Sequence, residues 1–441
     1  MAKQRYFDYA STTPLDKKVL SAMLPYLQNE FGNPSNLYSL GQRASSAVKR
    51  STDIIAFILG CKSDEFVYTG SATEADNLAL LGIARANRNK GDKIIVSQVE
   101  HKGILAVCDT LEKEGFAIVR LPVKKDGLVD LESLKRELDG RTILVSITYA
   151  DSETGTIQPI SEIAKIIRNF KLKPSSSNLP APRLRGQEAE LSASPPYFHT
   201  DATQAAEYLD INVDKLGVDL MTLSAHKLHG PKGIGGLYVR RGVDISPIIF
   251  GGGQQKKLRS GTPNVAAIAG FAEALKISRK NMKTRSVRVK GMRDALERGI
   301  LKSIPKVIVN GHRQKRLPNF LNISILDVEG ESLLLYLDEL GIIINTGSAC
   351  NSQTLEPSYI LSALGNPYEY IHGSARLSLG RENTMNDVKY VLKHLPQAVK
   401  KLRGISPLNL KLDQAKDISD PRAFVGGQTP HFIRKKYAKK S

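Results

Sequence analysis

The sequence predicts an α/β protein: a large domain centred on a parallel sheet, followed by a smaller α+β domain. Three observations predict it. Short apolar runs alternate with helical patterns through the first half. The alternation stops after Gly261, where long amphipathic helices take over. Residues able to do chemistry cluster just past the apolar runs, as they do at the carboxyl ends of strands in parallel sheets.

In order along the chain, Phe66 to Tyr68 reads as a strand. A helix opens near Ser71 and runs through Leu78, Leu81 and Ile83. Lys93 to Val96, Thr142 to Thr148, Val218 to Leu223 and Gly236 to Val239 read as further strands, with a helix over Ile160 to Phe170 and a strand reaching Asp201. Leu172 to Tyr197 breaks the pattern. It is rich in Pro, Ser and Ala and follows neither helix nor strand periodicity, which predicts a loosely packed or disordered surface insertion. Beyond Gly261, Ala266 to Lys283 and Ser286 to Ile300 read as helices, Val307 to Val309 and Asn319 to Ile325 as strands, Glu329 to Leu340 as a helix, and Ile342 to Ile344 as a short strand. The expected division is a large domain over 12–265 carrying the insertion 172–197. A small domain follows, made of 1–11 and 266–425, and then a disordered basic tail over 426–441.

Composition narrows the class. Of 441 residues, 41% are hydrophobic and 24% charged, ordinary values for a soluble protein. No apolar run approaches the ~18 residues of a membrane-spanning helix. Met1 to Asp8 contains no apolar core of the kind a secretory signal needs. Only three cysteines occur, Cys61, Cys108 and Cys350, which argues against a disulfide framework and for a reducing cytoplasm. Cys61 and Cys108 lie in apolar or helical stretches and read as buried and inert. The net charge of +19 admits two readings, contact with RNA or acidic proteins, or a solvated Lys/Arg surface. The tail adds Arg434, Lys435, Lys436, Lys439 and Lys440 to that charge.

Five local patterns carry chemistry. Ser224-Ala225-His226-Lys227 ends the apolar run VDLMTLS. A lysine there can form a Schiff base with a carbonyl cofactor, or can be a surface lysine at a strand end. Asp201, at the end of Phe198-His199-Thr200-Asp201, can pair with a protonated pyridine nitrogen or cap a helix. Thr69-Gly70-Ser71-Ala72-Thr73-Glu74 joins a strand to a helix N-terminus. Such a junction binds phosphate through free N–H groups, or is plain capping. His101, in Glu100-His101-Lys102, can stack on an aromatic cofactor and move protons, or be structural. Cys350 sits in Asn345-Thr346-Gly347-Ser348-Ala349-Cys350-Asn351-Ser352, a loop composition that suits an accessible nucleophile or an incidental surface thiol.

Together these patterns resemble the group I cysteine desulfurases, the iron–sulfur-cluster-assembly and nitrogenase-associated type within the class V aminotransferases. The resemblance runs from Tyr6-Phe7-Asp8-Tyr9-Ala10-Ser11-Thr12-Thr13-Pro14 and Phe31-Gly32-Asn33-Pro34-Ser35 to Ser406-Pro407-Leu408. It includes Arg259-Ser260-Gly261-Thr262 and Ala375-Arg376-Leu377-Ser378-Leu379-Gly380-Arg381. Gly347-Ser348-Ala349-Cys350 with Leu355-Glu356-Pro357-Ser358-Tyr359 marks group I. The resemblance implies an aspartate-aminotransferase-like fold (fold type I), a homodimer and pyridoxal 5'-phosphate as cofactor. L-cysteine would be converted to L-alanine, with the sulfur held as a persulfide on Cys350. Lys227 would carry the cofactor, Asp201 would pair with its pyridine nitrogen, and His101 would stack on the ring and shuttle protons. Gln204 and Ser152 would reach the ring hydroxyl. Ala72, Thr73, Ser224 and His226 would hold the phosphate, joined by Thr262 from the partner subunit. Asn33 and Arg376 would bind the substrate carboxylate. Cys350 would also serve as a transient ligand to a nascent cluster. The sulfur acceptor would be an iron–sulfur scaffold protein or a tRNA-thiolating enzyme, in the cytoplasm.

Two features depart from the family pattern. Asp151-Ser152-Glu153-Thr154-Gly155 has serine where the family carries a second asparagine, and the insertion over 172–197 is extra. A selenocysteine lyase or another class V enzyme would share Lys227 and Asp201 without needing the Cys350 loop. An interaction protein that had lost its chemistry would keep the fold, and Ser152 is the feature that favours it.

Overall fold

A computed structural model of the chain describes residues 4–172, 194–346 and 357–405. Cys350, the basic tail and most of the expected insertion lie outside these residues. The insertion is shorter than expected at both ends. Leu172 closes the helix Ile160–Leu172, and Tyr197 is already the first residue of a strand.

The described strands are β1 (Arg5–Tyr6), β2 (Phe66–Thr69), β3 (Lys93–Ser97), β4 (Ala117–Leu121), β5 (Thr142–Ser146) and β6 (Tyr197–Asp201). They continue with β7 (Leu220–Ser224), β8 (Gly235–Val239), β9 (Val307–Val309), β10 (Phe320–Ile325), β11 (Ile342–Ile343) and β12 (Ser374–Ser378). Seven of them form the main sheet in the order β2-β8-β7-β6-β5-β3-β4. Its central strands are buried along nearly their whole length because helices cover both faces, and they are rich in apolar residues. Ile94, Ile95, Val96, Ile143, Leu144, Val145, Leu220, Met221 and Leu223 are all fully buried.

The expected parallel sheet is in fact mixed. β4, β3, β5, β6 and β7 run parallel, while β8 is antiparallel to both β7 and β2. The link from Ala225 to Ile234 contains only a turn of 3-10 helix over Ala225–Lys227. That is too short for the dozen or more residues of a parallel crossover, so the chain must double back. Because β2 again runs with β7, the carboxyl ends of β2, β3, β5, β6 and β7 share one edge.

A second, antiparallel sheet has the order β12-β10-β9. The helices Met282–Ser303, Gly330–Glu339 and Met385–Ile405 accompany it, the last packing on both others. The helix Val265–Arg279 is capped by Asn264, whose side chain accepts from Ala267 N, and it packs on Lys17–Gln28 and Ser39–Leu59. It stops short of the expected Lys283, because Asn281 adopts a left-handed conformation (φ 60°) before the next helix begins. Asparagine tolerates that region better than most residues. One buried cluster joins Phe66, Ile95, Val145 and Met221 of the main sheet to Phe320, Ile323 and Leu377 of the second.

The N-terminal residues belong with the second sheet and reach the first. β1 pairs in parallel with β11, and Asp8 bridges Ser378. Thr13 N then bonds to His226 O just past β7. No helix among the described residues is long and apolar enough to cross a membrane.

Candidate active site

The shared carboxyl edge of the main sheet opens into a cavity of about 350 Å³. At its floor, β6 ends in Asp201, which is 7% exposed and accepts a hydrogen bond from Thr203 N (2.8 Å). Next to it, β7 ends at Ser224 and the 3-10 turn carries Lys227 into the cavity wall. Lys227 Nζ donates to the carbonyls of Ala10 and Ser11, the latter at 2.7 Å. Gln204 Nε2 donates to the same Ala10 carbonyl (3.0 Å). His226 Nδ1 lies 3.1 Å from Thr12 Oγ1. Burial, helped by the charges of Lys227 and Lys232, pushes the His226 imidazole down to about 4, so it is neutral near neutral pH.

A second wall is the start of the helix Ala72–Ala86. Ser71 is its N-cap and accepts from Glu74 N (3.1 Å). Glu74 folds back to accept from Gly70 N (2.8 Å) and from Arg259 Nε (2.8 Å). Ala75 N is taken by Ser71 O. The remaining first-turn N–H groups are those of Ala72 and Thr73, and both residues line the cavity. A helix start with two such groups and its dipole is an anion site.

His101 and Ser152 complete the sides. His101 caps the helix Lys102–Lys113, its Nδ1 accepting from Gly103 N (3.1 Å), which leaves Nε2 as the ring's N–H. Ser152 is set by the turn around Asp151, whose carboxylate accepts from Glu153 N (2.9 Å), Thr154 N (2.7 Å) and Thr156 N (3.0 Å). Arg376, from β12, closes the cavity from the second sheet. Its Nη1 donates to Ser152 O (2.7 Å).

Acids that sequence reasoning passed over lie in the cavity wall (Asp76 and Glu153) and behind it (Glu100). Glu100 is fully buried, accepting from Ser97 Oγ (2.5 Å) and Thr148 N (3.0 Å), and burial raises it to about 8. Burial also raises Glu153 to about 7; its Oε2 accepts from Ser358 Oγ (2.5 Å). Asp76 is 1% exposed, and burial followed by the nearby Asp201 pushes it well above the carboxylate range. Thr222 Oγ1 approaches Asp76 but closes no well-formed hydrogen bond. His199 beside it is forced down by burial to about 3 and stays neutral between Ser146 Oγ and Thr222 Oγ1.

The cavity therefore gathers Ala72, Thr73, His101, Ser152, Asp201, Gln204, His226, Lys227 and Arg376. It does not include Ser224, Asn33 or Thr262. Ser224 is 1% exposed, at the strand end. Asn33 is exposed and its Oδ1 accepts from Ser35 N (3.0 Å). Thr262 is exposed on a surface loop. Residues flanking the Cys350 segment do line the cavity: Thr346 on one side and Tyr359 on the other, with Tyr359 Oη donating to Glu100 O (2.6 Å). Of the other cysteines, Cys108 is buried as expected. Cys61, expected buried, is partly exposed because it follows the Gly60 helix end. Burial raises both thiols to about 12.

These residues fit a pyridoxal phosphate group. An amine stands ready for an aldehyde, a carboxylate for a pyridinium, and a helix start with a neutral histidine for a phosphate. Thr203 Oγ1, buried in the same wall, has no hydrogen-bond partner among the described residues. A second cavity of about 570 Å³ lies at the opposite edge of the sheet, by Phe198 and Asp219, away from all of these groups.

The aminotransferase class-V family model matches residues 5–173 and 191–391. The chain is 44% identical over 407 residues to the cysteine desulfurase IscS of Dictyoglomus turgidum, covering 92% of this chain and 97% of that protein. It is 44% identical over 409 residues to the IscS of Methanosarcina thermophila, covering 93% and 95%. Among solved structures, a NifS-like protein superposes with a TM-score of 0.80 at 31% identity, over 90% of this chain and all of that one. SspA in complex with cysteine superposes with a TM-score of 0.72 at 31% identity, over 85% and 98%.

Proposed function

The chain belongs to the aminotransferase class-V family and is a pyridoxal-phosphate-dependent cysteine desulfurase; from that premise we propose how its own residues convert L-cysteine to L-alanine and keep the sulfur on Cys350. The observation that carries the proposal is one cavity holding Lys227 and Asp201 at neighbouring strand ends, with residues on both sides of the Cys350 segment in its wall. The cysteine bound by SspA, a structural relative, supports the choice of substrate.

Bound pyridoxal phosphate supplies an electron sink for the pair released when the substrate Cα–H bond breaks. Lys227 would hold the cofactor through its amine, and its Nζ would take the substrate Cα proton. Asp201 would keep the pyridine nitrogen protonated. Ala72 N, Thr73 N and neutral His226 would hold the phosphate without adding a second fixed cation. His101 would flank the ring and move protons through its Nε2. Ser152 and Gln204 would reach the ring hydroxyl, and the guanidinium of Arg376 would receive the substrate carboxylate. The Cys350 thiolate attacks the substrate sulfur. An S–S bond forms, the C–S bond breaks, and its electron pair stays on the substrate carbon, which takes a proton and leaves as alanine.

The enzyme works as a homodimer. The exposure of Leu24, Leu27, Phe31, Leu37 and Tyr38 along one segment supports this, as does that of Phe250. Thr262, exposed and outside its own cavity, would complete the partner's phosphate site, and Asn33 would contact substrate. The enzyme passes its sulfur to an iron–sulfur scaffold protein or a tRNA-thiolating enzyme in the cytoplasm. The test is product analysis on the purified, coloured enzyme with cysteine and a reductant. Equal amounts of alanine and sulfide are expected. Pyruvate and ammonia in their place would overturn the reading.

A further inference from the structure

The guanidinium that should receive the substrate carboxylate is already paired with a carboxylate of its own chain. Arg376 Nη2 donates to Asp8 Oδ1 (2.8 Å) and Ser11 Oγ (2.7 Å), while Nη1 donates to Ser152 O. Asn345 Nδ2 donates to Asp8 Oδ2 (3.0 Å) and to Ser11 Oγ (2.9 Å). This is no loose surface pair. Both charged side chains are 11% exposed. Their backbones are locked: Asp8 bridges Ser378, and Asn345 exchanges hydrogen bonds with Arg376 (3.1 and 2.7 Å). Arg376 Nε is sealed from solvent and has no partner among the described residues. Of the five guanidinium N–H donors, the two on Nη2 and one on Nη1 are therefore committed before any substrate arrives.

We propose that Asp8 sets the affinity of this subsite for α-carboxylates, acting as an internal rival that keeps Arg376 from holding substrate or product too tightly. The proposal rests on Arg376 being the carboxylate-binding residue. A fixed negative charge on the guanidinium repels the second one that must bind beside it, and in a largely buried site such repulsion is worth about tenfold in affinity. Alanine, the product, carries the same carboxylate as cysteine, so the same rivalry speeds its release. Asp8 is a positioning residue: it acts through Arg376 and forms no bond in the reaction.

Calorimetric titration of the holoenzyme with L-alanine tests this without turnover. Asp8→Asn should bind alanine about tenfold more tightly and lower KM for cysteine by a similar factor. A purely structural Asp8 would instead weaken binding when replaced. Arg376→Ala should bind alanine weakly, and adding Asp8→Asn to it should change nothing further. Asn345→Ala, which strips a donor from Asp8 and leaves its charge to Arg376 alone, should weaken alanine binding about threefold. It serves if Asp8→Asn does not fold. Weak binding by Arg376→Ala, with no tightening by Asp8→Asn and no loss in Asn345→Ala, overturns the role of Asp8 alone. Unchanged binding by Arg376→Ala overturns the assignment of Arg376 and this proposal with it.

Discussion

Replacing Glu100 by glutamine should remove an ionisable group that the fold works against. Glu100 is fully buried under the cavity, and burial raises its carboxyl from 4.5 to about 8, against hydrogen bonds from Ser97 and Thr148 that pull the other way. The folded protein therefore keeps this proton in a range where the unfolded chain has lost it. More protons bound in the native state means stability falls as pH rises. At about 1.4 kcal/mol per pH unit, the loss between pH 4.5 and about 8 amounts to about 5 kcal/mol. Glutamine keeps an oxygen for Ser97 and Thr148. Its amide takes the place of Oε2, which has no partner among the described residues, at a cost of about 1 kcal/mol or more. Urea denaturation of wild type and Glu100→Gln at pH 5 and pH 8.5 is the assay. The two should be close at pH 5, or the variant slightly weaker. At pH 8.5 the variant should be the more stable by a few kcal/mol. A stability difference that does not change with pH would refute the reasoning, because it would mean Glu100 ionises at the same pH in both states.

Three further outcomes are expected. Lys227→Ala should lose all turnover, and borohydride reduction of the wild type followed by peptide mapping should find the cofactor on Lys227 and on no other lysine. Ser152→Asn should leave cofactor affinity and turnover equal or improved, measured by fluorescence titration and alanine release, since the amide adds a contact and Arg376 uses only the backbone carbonyl of residue 152. Gly155→Ala should cost about 2–5 kcal/mol in denaturant melts. Gly155 has φ +73°, and a Cβ there would sit 2.5 Å from Phe320 Cβ.

Much of the floor of the site was legible in the sequence. Strands buried on both faces read as apolar runs, so the lysine and aspartate that follow them, Lys227 and Asp201, announce themselves by position. The capping serine and small residues at Ser71 to Thr73 mark the helix start in the same way. The antiparallel return of β8 was not legible, because an apolar run carries no direction. The edge strand β4 escaped notice because its residues are only half-buried and Arg120 interrupts the apolar pattern. Asp8, Ser11 and Asn345 were missed as partners of Arg376 for another reason. They meet it across folds of the chain that no local periodicity records, 368 residues apart in the case of Asp8. Glu100 and Asp76 look like ordinary surface acids in sequence. Only the packing of β3, β5 and the helix Ala72–Ala86 around them makes them buried.

The proposed function turns on the transfer of sulfur from cysteine to Cys350. Its most direct test is to mix the holoenzyme with sulfur-labelled cysteine without reductant, quench with an alkylating agent, and identify the labelled peptide by mass spectrometry. One labelled sulfur is expected on the peptide containing Cys350, none on those containing Cys61 or Cys108, together with matching alanine. Cys350→Ser should keep its cofactor but form neither persulfide nor more than traces of alanine. Label on Cys61 or Cys108, or near-normal alanine from Cys350→Ser, would contradict the transfer.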